Sequence, residues 1–213
     1  MNTASGWPPL QRSLVAILRG IRPHEAADIV AALLEAGFEA IEIPLNSPDP
    51  FASIEIAVNT APDGVLIGAG TVLAPEEVDR LSEIGGRLVV SPNADPAVIK
   101  RTSDLGLVSM PGVFTATEAF SALRAGASGL KFFPASVLGA AGVAAIRAVL
   151  PLGTEMAAVG GVSHTDFASY AKAGVRTFGL GSSLYKPGLT AAEVKMRAVE
   201  AIEAYDRVFG RQT

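Results

Sequence analysis

Lys131 lies in Gly129-Leu130-Lys131-Phe132-Phe133-Pro134, a short apolar run with no obvious polar side for a charged group. Alternation along a strand puts Leu130 and Phe132 on one face and Lys131 on the other. An amine held among apolar neighbours is disfavoured in its charged form, so its pKa falls and a neutral nucleophile becomes available. Attack on a carbonyl to form a Schiff base needs such an amine. Glu42 stands between Ile41 and Ile43 in Ala40-Ile41-Glu42-Ile43-Pro44, and the same alternation turns its carboxylate away from the isoleucines. It suits a general acid or base, or a structural ion pair with Lys131. The two are compatible, since such a pair inside a cavity is costly to keep unless it does something. Arg19 ends Leu18-Arg19-Gly20 and shares parity with Val15 and Ile17. Its planar, permanent charge suits a substrate carboxylate, and an ordinary strand-end arginine paired to a loop acid fits it equally well.

Three further stretches offer small residues at strand ends. Gly68-Ala69-Gly70-Thr71 lets a ligand approach the backbone, with a hydroxyl to orient it. Val159-Gly160-Gly161-Val162-Ser163 and Leu180-Gly181-Ser182-Ser183 pair glycines with hydroxyl residues. Exposed amides there suit a phosphate, although two tight turns would use glycine as well. Together these residues describe a small molecule with a carboxylate, a carbonyl for Lys131, a hydroxyl near Glu42 and a phosphate.

The elements that must position them repeat one unit: a short apolar strand, a loop, an alanine-rich helix and a closing glycine. Strands are expected at Leu14 to Leu18, Ala40 to Ile43, Leu66 to Gly70, Leu88 to Ser91, Val108 to Pro111, Gly129 to Phe133, Glu155 to Val159 and Thr177 to Leu180. Helices are expected over Pro23 to Ala36 and Ala191 to Phe209, with Pro50, Pro75 and Pro96 in first-turn positions. Strand–helix alternation implies parallel strands with right-handed crossovers. Eight units in 213 residues favour a single α/β domain over 1–213, a (β/α)8 TIM barrel spanning about 12–209 after a short helical or irregular extension. A doubly wound open sheet is the competing architecture. In such a barrel, working residues sit at the C-terminal strand ends, and a phosphate site commonly follows the seventh and eighth strands.

Composition narrows the function. There are no cysteines, which removes disulfides, thiolate metal sites and cysteine nucleophiles, and two histidines are too few for a histidine-rich metal centre. A net charge of -4 argues against a general nucleic-acid or anionic-membrane surface. No apolar run approaches the ~20 residues that span a bilayer, and Met1 to Ser13 lacks the pattern of a secretory signal. A soluble cytoplasmic protein is expected.

On Ile17-Leu18-Arg19-Gly20-Ile21, Glu42 to Ser47, Gly68 to Leu73, Leu130 to Pro134 and Val159 to Val162, the chain resembles the 2-keto-3-deoxy-6-phospho-aldonate aldolases. These are pyruvate-dependent class I enzymes on a (β/α)8 barrel, and the resemblance runs from about Leu10 to Phe209. It implies that Lys131 forms the Schiff base and Glu42 is the general acid/base. It implies too that Arg19 and Thr71 hold the carboxylate end, that Gly160, Gly161, Gly181 and Ser182 hold the phosphate, and that neither metal nor cofactor is needed. Asn46, in a Pro-Leu-Asn context, and Val159 stand where the gluconate branch usually has arginine and threonine. Both resemble the galactonate branch. A homotrimer is implied as well. The alternatives are the C4-epimeric gluconate activity, a phosphosugar isomerase, or a non-catalytic sugar-phosphate binder on the same barrel. Lys100-Arg101 and Arg207 to Arg211 read as solvated helix faces. Phe114 could line the mouth, Asn93 suits either a substrate contact or an ordinary turn, and His164 reads as a helix-start residue.

Overall fold

A computed structural model of the chain describes residues 6–210. Nine parallel strands form one sheet: β1 (Leu14–Ile17), β2 (Ala40–Pro44), β3 (Leu66–Gly70), β4 (Leu88–Val90), β5 (Val108–Met110), β6 (Gly112–Val113), β7 (Leu130–Phe132), β8 (Met156–Val159) and β9 (Thr177–Leu180). Their order is β5-β4-β3-β2-β1-β9-β8-β7-β6, so the two ends of the sheet are consecutive in the chain. Between β5 and β6 lies Pro111, which has no N–H to give a ladder. β5 pairs with β4, β6 pairs with β7, and the Lys131 N–H donates to the Pro111 carbonyl at 2.9 Å. β5 and β6 are therefore one broken fifth strand, and the barrel closes through it. The expected strand over Val108 to Pro111 extends to Val113 and breaks at its proline, and the open-sheet alternative does not hold.

Among the described residues eight helices cover the outside: α1 (Pro23–Ala36), α2 (Pro50–Thr60), α3 (Pro75–Glu83), α4 (Pro96–Asp104), α5 (Ala116–Ala125), α6 (Ala135–Arg147), α7 (Phe167–Lys172) and α8 (Ala191–Phe209). Four of them begin on proline, whose missing N–H is one of the unpaired first-turn donors anyway. Gly37 closes α1 at φ 102°, a left-handed conformation that any Cβ would strain, and its N–H caps the Leu33 and Leu34 carbonyls.

Alternation sorts each strand into two cores. Ile41, Ile43, Leu130, Phe132 and Phe178 face the helices in the larger cluster. Val15, Ile17, Leu66, Leu88, Met110 and Val159 fill the barrel interior. Trp7 and Leu10 join that interior cluster from the segment before β1, which is irregular over the described residues 6–13. The remainder of the expected extension, residues 1–5, and Arg211 of the basic run lie outside the described residues.

Candidate active site

Lys131 projects inward from β7, beside Gly112 and Ala157 of its neighbours, and Glu42 projects inward from β2, beside Ile17 and Gly68. They are 6% and 3% exposed. Both line a cavity of about 510 Å³ with Ile17, Arg19, Thr71 and Val159, at the C-terminal strand ends where the barrel rule places a site. Burial is the main cause of both altered ionisations. It brings the Lys131 ammonium down to about 8, with Arg19 adding repulsion and Glu42 opposing. It lifts the Glu42 carboxyl to about 7, against the attraction of Lys131 and Arg19. Glu42 Oε2 is buried without a hydrogen-bond partner. Among the described residues no ion pair within 4.0 Å joins the two groups. The structural ion pair that the sequence left open is not made, and the groups act on each other through the field only.

Room for the carboxylate comes from β3. A Cβ on Gly70 would overlap Glu42 Oε2, and one on Gly68 would overlap the Leu88 carbonyl oxygen. These two glycines serve close packing of the chain itself, where ligand access was expected. Gly70→Ala should therefore displace Glu42. Fold and melting cooperativity should survive at a cost of ~1–3 kcal/mol, while kcat/KM falls roughly 10²-fold through misplacement of the acid/base. Steady-state kinetics alongside thermal melting checks this.

Thr71 follows directly at φ 57°, an uncommon conformation for a β-branched residue and one that persists only where the surroundings impose it. Its hydroxyl oxygen accepts from Arg19 Nη1 and Nη2, each at 3.5 Å. Arg19 Nη1 also donates to Asn46 Oδ1. Arg19 thus has an amide and a hydroxyl as partners where a loop acid was the rival expectation, and among the described residues no carboxylate lies within 4.0 Å of its guanidinium. Asn46 is exposed and touches the arginine rather than lining the cavity. Ser47 Oγ accepts from the Gly20 N–H at 2.9 Å, tying the β1 and β2 loops together.

Across the mouth lie Gly160, Gly161, Gly181 and Ser182, all lining the cavity. Gly160 and Gly161 have φ of 91° and 71°. A Cβ on Gly160 would come 2.9 Å from the Phe133 ring, and one on Gly161 would overlap Ser136 Oγ. Among the described residues, the amides of Gly161 and Ser182 donate to no protein carbonyl. Two facing turns with free N–H groups fit an oxyanion.

Phe133, Pro92, Tyr185 and Lys186 also line the cavity and were not picked out from the sequence. Phe133 had a readable signal, its two-residue spacing from Lys131; the Tyr185-Lys186 loop had none. Burial pushes the Tyr185 phenol up to about 12. Neither Asn93 nor Phe114 lines the cavity; the Phe114 N–H donates to Glu118 at the start of α5. His164 opens a 3-10 turn over His164–Asp166 and places Nε2 3.3 Å from Glu200 of α8, away from the cavity.

The family described as KDPG and KHG aldolase matches residues 10–203 of the chain. The chain belongs to that family. Within it, a probable 2-dehydro-3-deoxy-6-phosphogalactonate aldolase of Rhizobium meliloti is 64% identical over 96% of this chain and 97% of its own. The 2-dehydro-3-deoxy-6-phosphogalactonate aldolase of Escherichia coli is 47% identical over 90% and 94%. A solved structure described as native KDPGal superposes with a TM-score of 0.92 at 45% identity, covering 95% of this chain and 98% of that one. A KDPG aldolase from Legionella pneumophila, solved with pyruvate captured as a covalent carbinolamine intermediate, superposes with a TM-score of 0.77 at 26% identity over 93% and 94%.

Proposed function

We propose that this chain is a single-domain class I aldolase that cleaves 2-dehydro-3-deoxy-6-phospho-D-galactonate to pyruvate and D-glyceraldehyde 3-phosphate through a Schiff base on Lys131. The observation that carries this reading is a desolvated amine and a desolvated carboxyl sharing one cavity, with an arginine at its edge. A lysine held near 8 offers roughly 300-fold more free amine at pH 7 than one at 10.5. A carboxyl near 7 populates both its acid and base forms at neutral pH.

The Lys131 lone pair attacks C2 of the keto acid, the carbonyl oxygen takes a proton from Glu42, and the Glu42 carboxylate takes one back from the new ammonium nitrogen, giving a neutral carbinolamine. Its nitrogen lone pair then expels the hydroxyl, which leaves as water on the proton that Glu42 returns, and an iminium remains with Glu42 ionised. The Glu42 carboxylate takes the proton of the C4 hydroxyl. That oxygen forms the new carbonyl as the C3–C4 bond breaks, and the released pair moves into the imine to make an enamine. D-glyceraldehyde 3-phosphate departs. Protonation of the enamine carbon by Glu42 and hydrolysis by water return pyruvate and the free amine. Arg19, held by Thr71 and Asn46, binds the carboxylate end. The free amides of Gly161 and Ser182, in the turns with Gly160 and Gly181, bind the phosphate.

The galactonate epimer is supported by the names of the 64% and 47% identical relatives, and by Asn46 and Val159 at the positions where the branches differ. A cytoplasmic homotrimer is the accompanying reading. No described helix is long and apolar enough to cross a membrane, and Val137, Leu152 and Met196 are exposed apolar side chains available for subunit contacts. Incubation with each C4 epimer, following pyruvate release and borohydride trapping, tests the activity. Faster release from the galactonate epimer and a reduced adduct mapping to Lys131 are expected. Pyruvate released without that adduct would overturn the mechanism. Equal rates would remove Asn46 and Val159 as discriminators.

A further inference from the structure

Phe133 follows Lys131 by two residues, so strand alternation sends both side chains into the barrel. The Lys131 nitrogen lies over the Phe133 ring, 4.7 Å from its centroid, within the range of cation–π attraction. The ring lines the cavity and packs against the apolar cluster of the barrel interior. Gly160 packs closely against it, since a Cβ there would come 2.9 Å from a ring carbon. Among the described residues, no hydrogen bond or ion pair within 4.0 Å holds the amine. The ring face is thus the one contact of this nitrogen that favours positive charge, beside the longer-range field of Glu42.

This matters because the nitrogen changes charge during the reaction. A contacting carboxylate would hold the amine protonated and suppress the nucleophile. An aromatic face attracts a neutral amine little and a cation substantially, and it does so without water. The iminium formed on it is a cation, whereas the amine that attacks is neutral. We propose that Phe133 is a catalytic contact that stabilises the iminium on Lys131 more than the free amine. The inference rests on the Schiff-base reading and deepens it, since binding that is stronger in the charged intermediate than in the ground state is what accelerates the step.

Replacing Phe133 by mono-, di- and trifluorophenylalanine drains the ring face of electron density with little change in volume. In the pyruvate-bound enzyme, the concentration needed for half-maximal borohydride trapping should rise stepwise, by about tenfold across the series. The ascending pH limb of the trapping rate should move to lower pH in the same order, because the ammonium loses the same contact. Phe133→Leu should resemble the trifluoro variant, and Phe133→Trp should retain tight adduct formation. A merely structural ring would not give a graded effect with a lower-pH limb and a weaker adduct together. Trapping that stays normal and flat across the fluorine series would overturn the role of the ring alone. Absence of any pyruvate adduct in the unsubstituted enzyme would overturn the Schiff-base reading and this inference with it.

Discussion

Lys131→Met is expected to lose roughly six powers of ten in turnover, the scale on which covalent nucleophiles fail when removed, and to gain stability at neutral pH. The two effects share one cause. Lys131 is buried and its ammonium lies below the ordinary lysine value, at about 8, chiefly through desolvation. Between pH 8 and 10.5 the unfolded chain therefore binds more protons than the native one, and native stability rises with pH across that window. Below about 8 the full burden of burying an ammonium is present, a few kcal/mol on the scale of ~1.4 kcal/mol per unit. Methionine fills a similar volume without a charge. Its melting temperature should exceed that of the unsubstituted protein at pH 7, and the difference should close as pH rises toward 10.5. Denaturation followed across pH, beside an assay for pyruvate release, checks both halves. Near-normal turnover would end the Schiff-base mechanism, and a variant destabilised at pH 7 would contradict the desolvated amine.

The inward parity of Lys131 and Glu42 was readable because a strand has a period of two, and an isolated charge between isoleucines leaves little choice of face. Helix starts were equally legible: Pro23, Pro50, Pro75 and Pro96 each occupy the first helical position. What escaped depends on pairing between segments distant in sequence. Gly68 and Gly70 suggest ligand access until β3 is laid beside β2 and β4, when the space they leave is already filled by Glu42 and Leu88. Asn46 holds the Arg19 guanidinium, a pairing that shows only when the loops after β1 and β2 are brought side by side. The continuation of the fifth strand past Pro111 is invisible in a two-residue segment, Gly112–Val113, too short to show any alternation. Lys186 and Tyr185 reach the cavity because Pro187 packs against Gly20, a contact between the last and first barrel loops that no local pattern announces.

Glu42→Gln separates the acid/base role from the packing role, and its expected signature has three parts. Turnover should fall by ~10²–10⁴-fold, the usual contribution of one positioned proton donor and acceptor. Pyruvate trapping should weaken without vanishing, because Lys131 keeps its amine. Glu42 also raises the Lys131 pKa by its charge, so losing it should move the ascending pH limb of trapping downward, opposite to the shift expected from removing Arg19, which lowers that pKa. Stability supplies the third part. The Glu42 carboxyl is lifted from 4.5 to about 7 by burial, so in that window the native state binds more protons than the unfolded chain. The contribution of this group is fully present below 4.5 and is lost as pH rises through 7. Glutamine cannot ionise, so the melting temperature of the variant relative to the parent should climb between pH 4.5 and 7 and level off above. Oε2 has no hydrogen-bond partner in the fold, so the amide forfeits no existing bond at that atom. A flat difference across that window would mean that Glu42 stays solvated. Full turnover together with full trapping would move the proton transfers to another group. The combination of a catalytic loss with a pH-dependent stability gain is what a carboxyl kept buried for its chemistry predicts, and a carboxyl kept for an ion pair predicts the reverse.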